Sequence, residues 1–295
     1  MKKIYKIFLF LAFAFSMSSC ERDILSTEPF DENGASKALF SVSPTKKVRF
    51  SKGNLQYCAA SNSWRFAPHQ YNFIGESNVN ISPTYDGWID LFGWGTSGWN
   101  SGAVAYQPYS TSTTNTDYWP ASNPANDLTN NCANADWGIP NVIINGGKQA
   151  GMWRTLTKDE WLYLFNRPNR SASIFVESYC CGVIMLPDDF KIPDGVNLVF
   201  NQEGAGWANH VTYDDWLKLE KAGAILLPAG GYRAGTWMKT PTSYYDAYGG
   251  YWSSSHVDGR NEQAWGVHWS YDVYGTIMQL RSAGFSVRLV RDADL

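Results

Sequence analysis

The sequence predicts an α+β fold in which antiparallel sheets are combined with two short helices and long aromatic-rich loops. Short strand-like runs separated by turn residues make up most of the chain, and two segments have helical patterns. Hydrophobic residues account for 44% of the chain and aromatic residues for 16%, which is enough for one large core. No internal period of roughly 20 to 50 residues is visible, which argues against solenoid and propeller folds.

The predicted strands form one group near the start of the domain and a larger group near its end. In residues 46–58, KKVRFSKGNLQYC, the apolar residues Val48, Phe50 and Leu55 lie on both sides of a Lys-Gly-Asn turn, which predicts a hairpin. Residues 63–68, SWRFAP, are predicted to be the next strand. The closing group consists of four stretches: AILLPAGGYRAG, GGYWSSS, QAWGVHWSYD and GFSVRLVRD.

A long loop region separates the two groups. Residues 72–134 are rich in Gly, Ser, Thr, Asn and Pro, yet this region and its immediate continuation carry tryptophans at Trp88, Trp94, Trp99, Trp119 and Trp137. A disordered segment would not contain so many indole rings. We therefore expect these loops to be packed onto the domain by their own aromatic side chains.

Both helices are predicted by their capping residues. In TLTKDEWLYLFNRP, Thr157 and Glu160 have the spacing of a capping box, and Pro168 ends the helix. In TYDDWLKLEKAG, Thr212 is the N-cap and Gly223 closes the C-terminus. Each helix is short.

The N-terminus predicts an exported, lipid-anchored protein. Three lysines precede the apolar run from Ile7 to Phe15, which is too short to span a bilayer as a mature helix. Ser18-Ser19-Cys20 resembles the lipobox of bacterial lipoproteins, with Met17 in place of the usual leucine. The resemblance implies a signal peptide at residues 1–19 and lipidation of Cys20 at the outer membrane or cell surface of a Gram-negative bacterium. The alternative is a soluble secreted protein with an ordinary signal peptide.

Residues 20–38 are polar, acidic and rich in turn formers, so we expect them to be a flexible tether. No linker interrupts the rest of the chain, which predicts a single domain at residues 39–295. The net charge is −3 with scattered Lys and Arg residues, so nucleic acid is not an expected partner. Export permits disulfides. The pairing of Cys58, Cys132, Cys180 and Cys181 stays open, because an even number of cysteines does not identify pairs.

Three stretches carry a resemblance to a known family. WRTLTKDEWLYLF (153–165) resembles the first-helix signature of the bacterial branch of the C-type lectin-like fold, which includes the formylglycine-generating (sulfatase-modifying) enzymes. LLPAGGYR (226–233), GGYWSSS and AWGVHW (264–269) resemble the central strands of the Fibrobacter succinogenes major paralogous domain family. GFSVRLVRD (284–292) resembles its closing strand, with Leu289 in place of a cysteine. The resemblance implies a C-type lectin-like fold from about Phe40 to Asp292, with Tyr251 and Trp252 in a strand and at least one of them in the core.

The same resemblance raises the alternative of an enzyme of the formylglycine-generating type. The sequence disfavours this alternative. Formylglycine-generating enzymes use two cysteines near the C-terminal strands to bind copper, and this chain has no cysteine after Cys181. A serine-hydrolase site at residues 253–255 with His256 is also disfavoured, because adjacency in sequence does not place a base and an acid around a nucleophile. We therefore expect no catalytic residues and no enzymatic activity.

Cofactor signatures are weak. Gly93, Gly95 and Gly98 spell G-x-G-x-x-G, but no strand–turn–helix context surrounds them, which favours a tight aromatic–glycine loop. The four histidines have no zinc-ligand spacing. The calcium-binding triplets of sugar-binding C-type lectins are absent, so no cofactor is expected. A structural calcium held by Asp and Asn oxygens stays an open alternative.

The remaining functional signal is a stretch of polar and aromatic side chains suited to binding a ligand at the surface. Residues 232–283 are rich in Tyr, Trp, His, Arg, Asn and Asp, which bind protein or glycan ligands at low entropic cost. Core packing is the competing explanation for the strand tryptophans Trp265 and Trp269. The predicted ligand-binding residues are Tyr244, Tyr245, Tyr248, His256, Arg260, His268, Tyr271, Tyr274 and Arg281. The hypothesis is a non-catalytic surface lipoprotein that binds a protein or glycan. A structural or adhesive subunit of a surface assembly is an alternative.

The variable proteins of diversity-generating retroelements are also similar, since they place their variable residues just before a closing strand like GFSVRLV. The amino-acid sequence alone leaves that relationship open.

Overall fold

The chain has an α+β architecture, as predicted. The structure is a computed structural model that describes residues 28–100, 106–200, 207–271 and 274–294. The predicted signal peptide at 1–19 and the predicted lipidation site Cys20 lie outside these ranges. The strands are β1 (Phe40–Ser41), β2 (Lys47–Phe50), β3 (Leu55–Cys58), β4 (Ser63–Phe66), β5 (Ser171–Val176), β6 (Cys180–Met185), β7 (Asn209–Val211), β8 (Ile225–Pro228), β9 (Tyr232–Ala234), β10 (Trp237–Lys239), β11 (Tyr248–His256), β12 (Gln263–Ser270), β13 (Tyr274–Leu280), β14 (Ala283–Gly284) and β15 (Val290–Asp292).

Both predicted helices are confirmed. Helix α1 spans Lys158–Asn166, and its N-cap Thr157 forms the complete capping box with Glu160. Helix α2 spans Tyr213–Lys221, and the hydroxyl of its N-cap Thr212 accepts a hydrogen bond from the Asp215 N–H. Among the described residues, no helix has the length and apolar character needed to cross a membrane.

The hairpin predicted for residues 46–58 is wrong. Strand β2 pairs with β1 and β15, whereas β3 forms its hairpin with β4. The C-terminal segment is the physical reason, because it supplies partners to both strands. The Ser51 N–H donates to the Leu289 carbonyl and the Leu55 N–H donates to the Val287 carbonyl, each at 2.9 Å. The segment GFSVRLVRD correspondingly contacts several sheets: it begins at the end of β14, forms isolated bridges at Phe285 and Ser286, and ends in β15.

Two other sheets position most of the predicted ligand-binding residues. One has the order β7-β5-β6-β8, in which β5 and β7 are parallel and the other pairs antiparallel. The other is antiparallel, with the order β11-β12-β13. This second sheet lies between two hydrophobic clusters. Trp252 contributes to one cluster, and Tyr251 and Trp269 contribute to the other.

Tyr251 and Trp252 are both fully buried, on opposite faces of β11, because neighbouring strand residues point to opposite sides. The prediction that at least one of them is in the core is confirmed. Trp269 is fully buried and stacks on Tyr251 at 5.0 Å between ring centroids. Trp265 is half-buried beneath the Lys158 ammonium group, which lies 4.4 Å from its ring.

The aromatic-rich loops are packed onto the domain as predicted. Trp94 and Trp137 are fully buried, and the Trp94 indole N–H donates to the Ser253 carbonyl at 2.8 Å. Gly95 and Gly98 have positive φ angles of 75° and 79° beside Trp94, so the G-x-G-x-x-G stretch is an aromatic–glycine loop in the described part.

The last part of the predicted tether belongs to the domain. Ala35 is fully buried and bridges to Ser51, and Phe30 bridges to Ser36. The turn is fixed by the Asp31 carboxylate, which accepts hydrogen bonds from the N–H groups of Asn33 and Ala35. Packing therefore begins before residue 39, the predicted domain boundary.

Candidate functional site

Five of the nine predicted ligand-binding residues lie close together at one end of the β11–β12 pair. In this register Tyr248, the first residue of β11, pairs with Ser270, the last residue of β12. Tyr271 therefore lies beside the start of β11. The residues brought together are Tyr244, Tyr245, Tyr248, His268 and Tyr271.

Three of them, Tyr245, Tyr248 and Tyr271, line an open groove of about 460 Å³, which we call the tyrosine groove. Its lining residues are Tyr232, Lys239, Tyr245, Asp246, Ala247, Tyr248, Ser270 and Tyr271. Four of them are tyrosines, so a ligand in the groove would meet several phenol rings together with one ammonium and one carboxylate group.

Two tyrosines of the groove lining, Tyr245 and Tyr271, form a triangle of rings with Tyr244. The centroids of Tyr244 and Tyr245 are 5.2 Å apart, those of Tyr244 and Tyr271 are 5.5 Å apart, and those of Tyr245 and Tyr271 are 5.3 Å apart. Such distances are typical of favourable aromatic pairs. Tyr244 is fixed further by a 2.7 Å hydrogen bond between its hydroxyl and His210 Nε2. Tyr245 is 73% exposed and is thus the ring most open to a ligand.

Another wall of the groove is built on Tyr232 and Tyr248, whose centroids are 5.2 Å apart. Trp237 extends it on the solvent side, and the His268 ring lies 5.8 Å from Tyr248. Burial raises the pKa of Tyr248 to about 12, and it lowers the pKa of His268. Both side chains are therefore neutral at pH 7, and this wall presents uncharged ring surface.

The loop between the walls is held by one carboxylate. Asp246 accepts hydrogen bonds from the hydroxyls and N–H groups of Thr242 and Ser243, at 2.7 to 3.1 Å, and forms a 3.1 Å ion pair with Lys239. These donors, with the Thr242 hydroxyl first, hold the pKa of Asp246 well below its usual range. The loop that carries Tyr244 and Tyr245 is thus fixed at its base.

Two glycines allow the backbone segments under the groove to approach closely. Gly231 bridges to Gly249, and its N–H donates to the Tyr248 carbonyl at 2.7 Å. Gly231 has a φ of +84°, and a Cβ there would overlap the Lys239 carbonyl oxygen. A Cβ at Gly249 would overlap the indole of Trp269. The groove therefore requires glycine at both positions.

An apolar pocket of about 200 Å³ lies on the other side of the same loop. Its lining residues are Phe73, Phe175, Ser178, Tyr179, Cys180, Cys181, Ala229, Pro241, Ser243, Tyr244 and Ala247. Tyr244 belongs both to this pocket and to the ring triangle of the groove, and Ala247 lines both cavities. The pocket and the groove are therefore neighbouring parts of one surface.

The four cysteines in the described ranges are free and buried, so the structure forms no disulfide among Cys58, Cys132, Cys180 and Cys181. Burial raises the pKa of Cys181 to about 12, so the thiol that lines the apolar pocket is protonated at pH 7. It contributes a small, weakly polar surface to the pocket.

Three predicted ligand-binding residues lie away from the groove, and for Arg281 the expected exposure is wrong. Arg281 is fully buried. It stacks over Trp94 at 4.5 Å and donates to the Gln263 carbonyl at 3.0 Å, because β13 turns back into the domain there. His256 and Arg260 lie at the far end of β11, roughly 25 Å from Tyr248 by strand rise. For Tyr274 the structure describes the backbone, which begins strand β13.

The His256 ring is held by carboxylates. Its Nδ1 is 2.6 Å from Asp127 Oδ1 and its Nε2 is 3.0 Å from Asp258 Oδ1. Ser253 and Ser254 are buried, and the Ser253 hydroxyl donates to the Trp265 carbonyl at 2.7 Å. Across the described ranges, no group of three or more His, Cys, Asp and Glu side chains is arranged to hold a metal ion.

Several residues that matter here were not predicted individually. Tyr232, Lys239 and Asp246 fall inside the aromatic stretch 232–283 but were not among the predicted site residues. Phe175 and Tyr179 come from β5 and the turn after it, which had no functional signal in the sequence.

Comparison with known proteins gave no matching family model, no matching curated protein and no matching solved structure.

Proposed function

We propose that this chain is an exported, lipid-anchored surface protein whose domain binds a protein or glycan ligand through the tyrosine groove without transforming it. The observation that carries this proposal is the groove itself, where Tyr232, Tyr245, Tyr248 and Tyr271 line one open concavity. Tyrosine offers a large amphipathic contact area and loses little rotamer entropy on binding.

The rigidity of the groove supports binding. Its strands are anchored on buried core residues, and the connecting loop is fixed by the five hydrogen-bond and ion-pair contacts of Asp246. A site that is already ordered before the ligand arrives avoids the cost of ordering its side chains. The neutral wall formed by Tyr248 and His268 suits ligands with ring or apolar surface.

A C-type lectin-like fold is part of the same proposal. The domain combines mainly antiparallel sheets, two short helices and long packed loops, which is what the sequence resemblance implies. The resemblance rests on the motifs that form α1, β8 to β9, β11 and β12, together with the closing segment at residues 284–292 that ends in β15. The similar variable proteins of diversity-generating retroelements place their variable residues just before the closing strand, and the tyrosine groove is built from this part of the chain.

Lipid anchoring is proposed from residues 1–20. Acyl chains attached at Cys20 would hold the domain at a membrane, since each buried methylene contributes about 0.8 kcal/mol. Metabolic labelling with an alkyne fatty acid tests this step. Label should be incorporated into the parent and not into a Cys20→Ser variant, and equal labelling would refute it.

The binding proposal is tested on immobilised protein with a glycan array and a displayed random-peptide library. We expect binding in at least one of the two screens. The double variant Tyr245→Ala/Tyr271→Ala should reduce that binding at least tenfold, whereas Tyr163→Ala on helix α1, outside the groove, should leave it unchanged. Unchanged binding by the double variant, or no binding in either screen, would refute the groove as the ligand site.

A further inference from the structure

Two groups of tyrosines meet at the apolar pocket. On one side the rings of Tyr179 and Tyr213 stack at 4.4 Å and 18°, and Tyr71 lies edge-on to Tyr179 at 4.6 Å. On the other side is the ring triangle of Tyr244, Tyr245 and Tyr271. Tyr179 and Tyr244 each form part of the pocket wall, so both groups meet at the pocket.

The interior of the pocket has little capacity for hydrogen bonding. Its deep surface is formed by the buried residues Cys181, Ala229 and Ala247, and its walls include Phe73 and Phe175. The Tyr244 hydroxyl is already engaged by His210. The hydroxyls of Ser178 and Ser243 lie on exposed residues of the lining. A ligand group deep in this pocket would therefore be surrounded by apolar atoms and thiols.

This lining distinguishes between the two ligand classes. A sugar ring carries hydroxyl groups around its periphery, and burying them without partners is costly. An apolar side chain gains free energy when it leaves water for such a pocket. The volume of about 200 Å³ is also suitable, because an apolar protein cavity of roughly 150 Å³ can hold a benzene ring.

We propose that the ligand is a protein segment that inserts one branched aliphatic or aromatic side chain into the apolar pocket while its flanking residues lie across the tyrosine groove. This inference rests on the proposed binding function and names the class of ligand. A central pocket surrounded by tyrosines has the layout of a protein-interface hot spot, in which the surrounding contacts exclude water from one anchor side chain. The Lys239 ammonium group, which also lines the groove, has three N–H donors and can donate to a backbone carbonyl of the segment.

Small probes test the pocket directly on the full chain. N-acetyl-phenylalaninamide and N-acetyl-leucinamide represent the anchor, and methyl β-glucopyranoside represents a sugar. Saturation-transfer NMR titrations should give a dissociation constant on the order of 1 mM for the amides, as expected for fragments of this size. The glycoside should bind at least tenfold more weakly.

Two variants link the binding to the pocket. Cys181→Met extends a side chain from the floor into the cavity, and Phe175→Ala removes one wall. Each should weaken amide binding at least fivefold, and Tyr163→Ala should not. Thermal unfolding checks that each variant is folded, and the second variant serves if the first does not fold.

The outcomes separate this inference from the proposed function. Amide binding that is equal in the parent and in every folded pocket variant overturns the inference. So does a glycan-array ligand that depends on Tyr245 and Tyr271 but not on Cys181 or Phe175, and that result would leave the proposed binding function standing. Peptides selected from the library should share one apolar residue, and their binding should be lost in the pocket variants.

Discussion

Replacing Asp188 with asparagine should destabilise the domain by an amount that depends on pH. Asp188 follows β6, and its carboxylate accepts hydrogen bonds from the N–H and the hydroxyl of Ser41 at 2.9 and 2.8 Å. It also forms ion pairs with Lys47 at 2.9 Å and Arg167 at 2.8 Å. One side chain therefore joins β1, β2 and the end of α1 to the segment that follows β6.

The magnitude follows from the pKa of this group. Burial raises the pKa of Asp188, but the hydrogen bonds from Lys47 and Ser41, and the charge of Arg167, lower it from 3.8 to about 2. Since the folded-state pKa lies below the unfolded value, the stabilisation is fully present well above pH 4 and is lost as the pH falls through 2. The difference corresponds to about 2 kcal/mol at pH 7 and about 1 kcal/mol at pH 3.

Urea denaturation followed by circular dichroism at pH 7 and pH 3 measures this difference. Asp188→Asn should cost about twice as much unfolding free energy at pH 7 as at pH 3. The exposed neighbour Asp189 provides a matched control, and Asp189→Asn should change stability by less than about 0.5 kcal/mol at either pH. An equal cost of Asp188→Asn at both pH values would mean that its charge is not the stabilising element.

Two further predictions concern the backbone and the thiols. Gly231→Ala should lower the free energy of unfolding by more than about 2 kcal/mol in chemical denaturation, because it combines a φ of +84° with overlap at the Lys239 carbonyl oxygen. Gly259→Ala, at a φ of +68° in open space, should lower it by about 1 kcal/mol. Equal losses would contradict the overlap argument. In a Cys20→Ser variant, a thiol reagent should react with less than one thiol in the native state and with four in guanidinium, because the remaining cysteines are free and buried; fewer than four would reveal a disulfide.

Local signals predicted the two helices well. The capping threonines Thr157 and Thr212 satisfy N–H groups three residues ahead, so each helix start is decided within a few residues of sequence. The presence of β3, β4, β11 and β12 could be predicted for a similar reason, since alternating apolar residues and turn formers are local patterns.

Pairing partners could not be predicted in the same way. The Lys-Gly-Asn turn at residues 52–54 has hairpin composition, but β2 obtains its partner from residues 290–292, more than two hundred positions away. The position of Arg281 shows the same difficulty for exposure. From the sequence it is predicted to be one of the ligand-binding residues of the surface, whereas Trp94 and Gln263, which bury it, come from other parts of the fold.

The candidate site was predictable as a composition but not as a shape. Tyr245 and Tyr271 were both expected to face a ligand, yet their 5.3 Å separation depends on the pairing of Tyr248 with Ser270. The pocket beside them depends on Phe175, which the sequence places seventy residues earlier, in a strand with no binding signal.

The position of the apolar pocket follows from the alternation of side chains between the two faces of β6. Cys180 and Cys181 are neighbours on β6 and belong to different hydrophobic clusters, so the strand end where they lie is a seam between two cores. Small side chains at this seam, namely Cys181, Ala229 and Ala247, leave the cavity that larger residues would fill. Full packing at the seam would raise stability. The anchor side chain that we propose would therefore pack against Cys181, Ala229 and Ala247, where it would complete the apolar packing between the two cores.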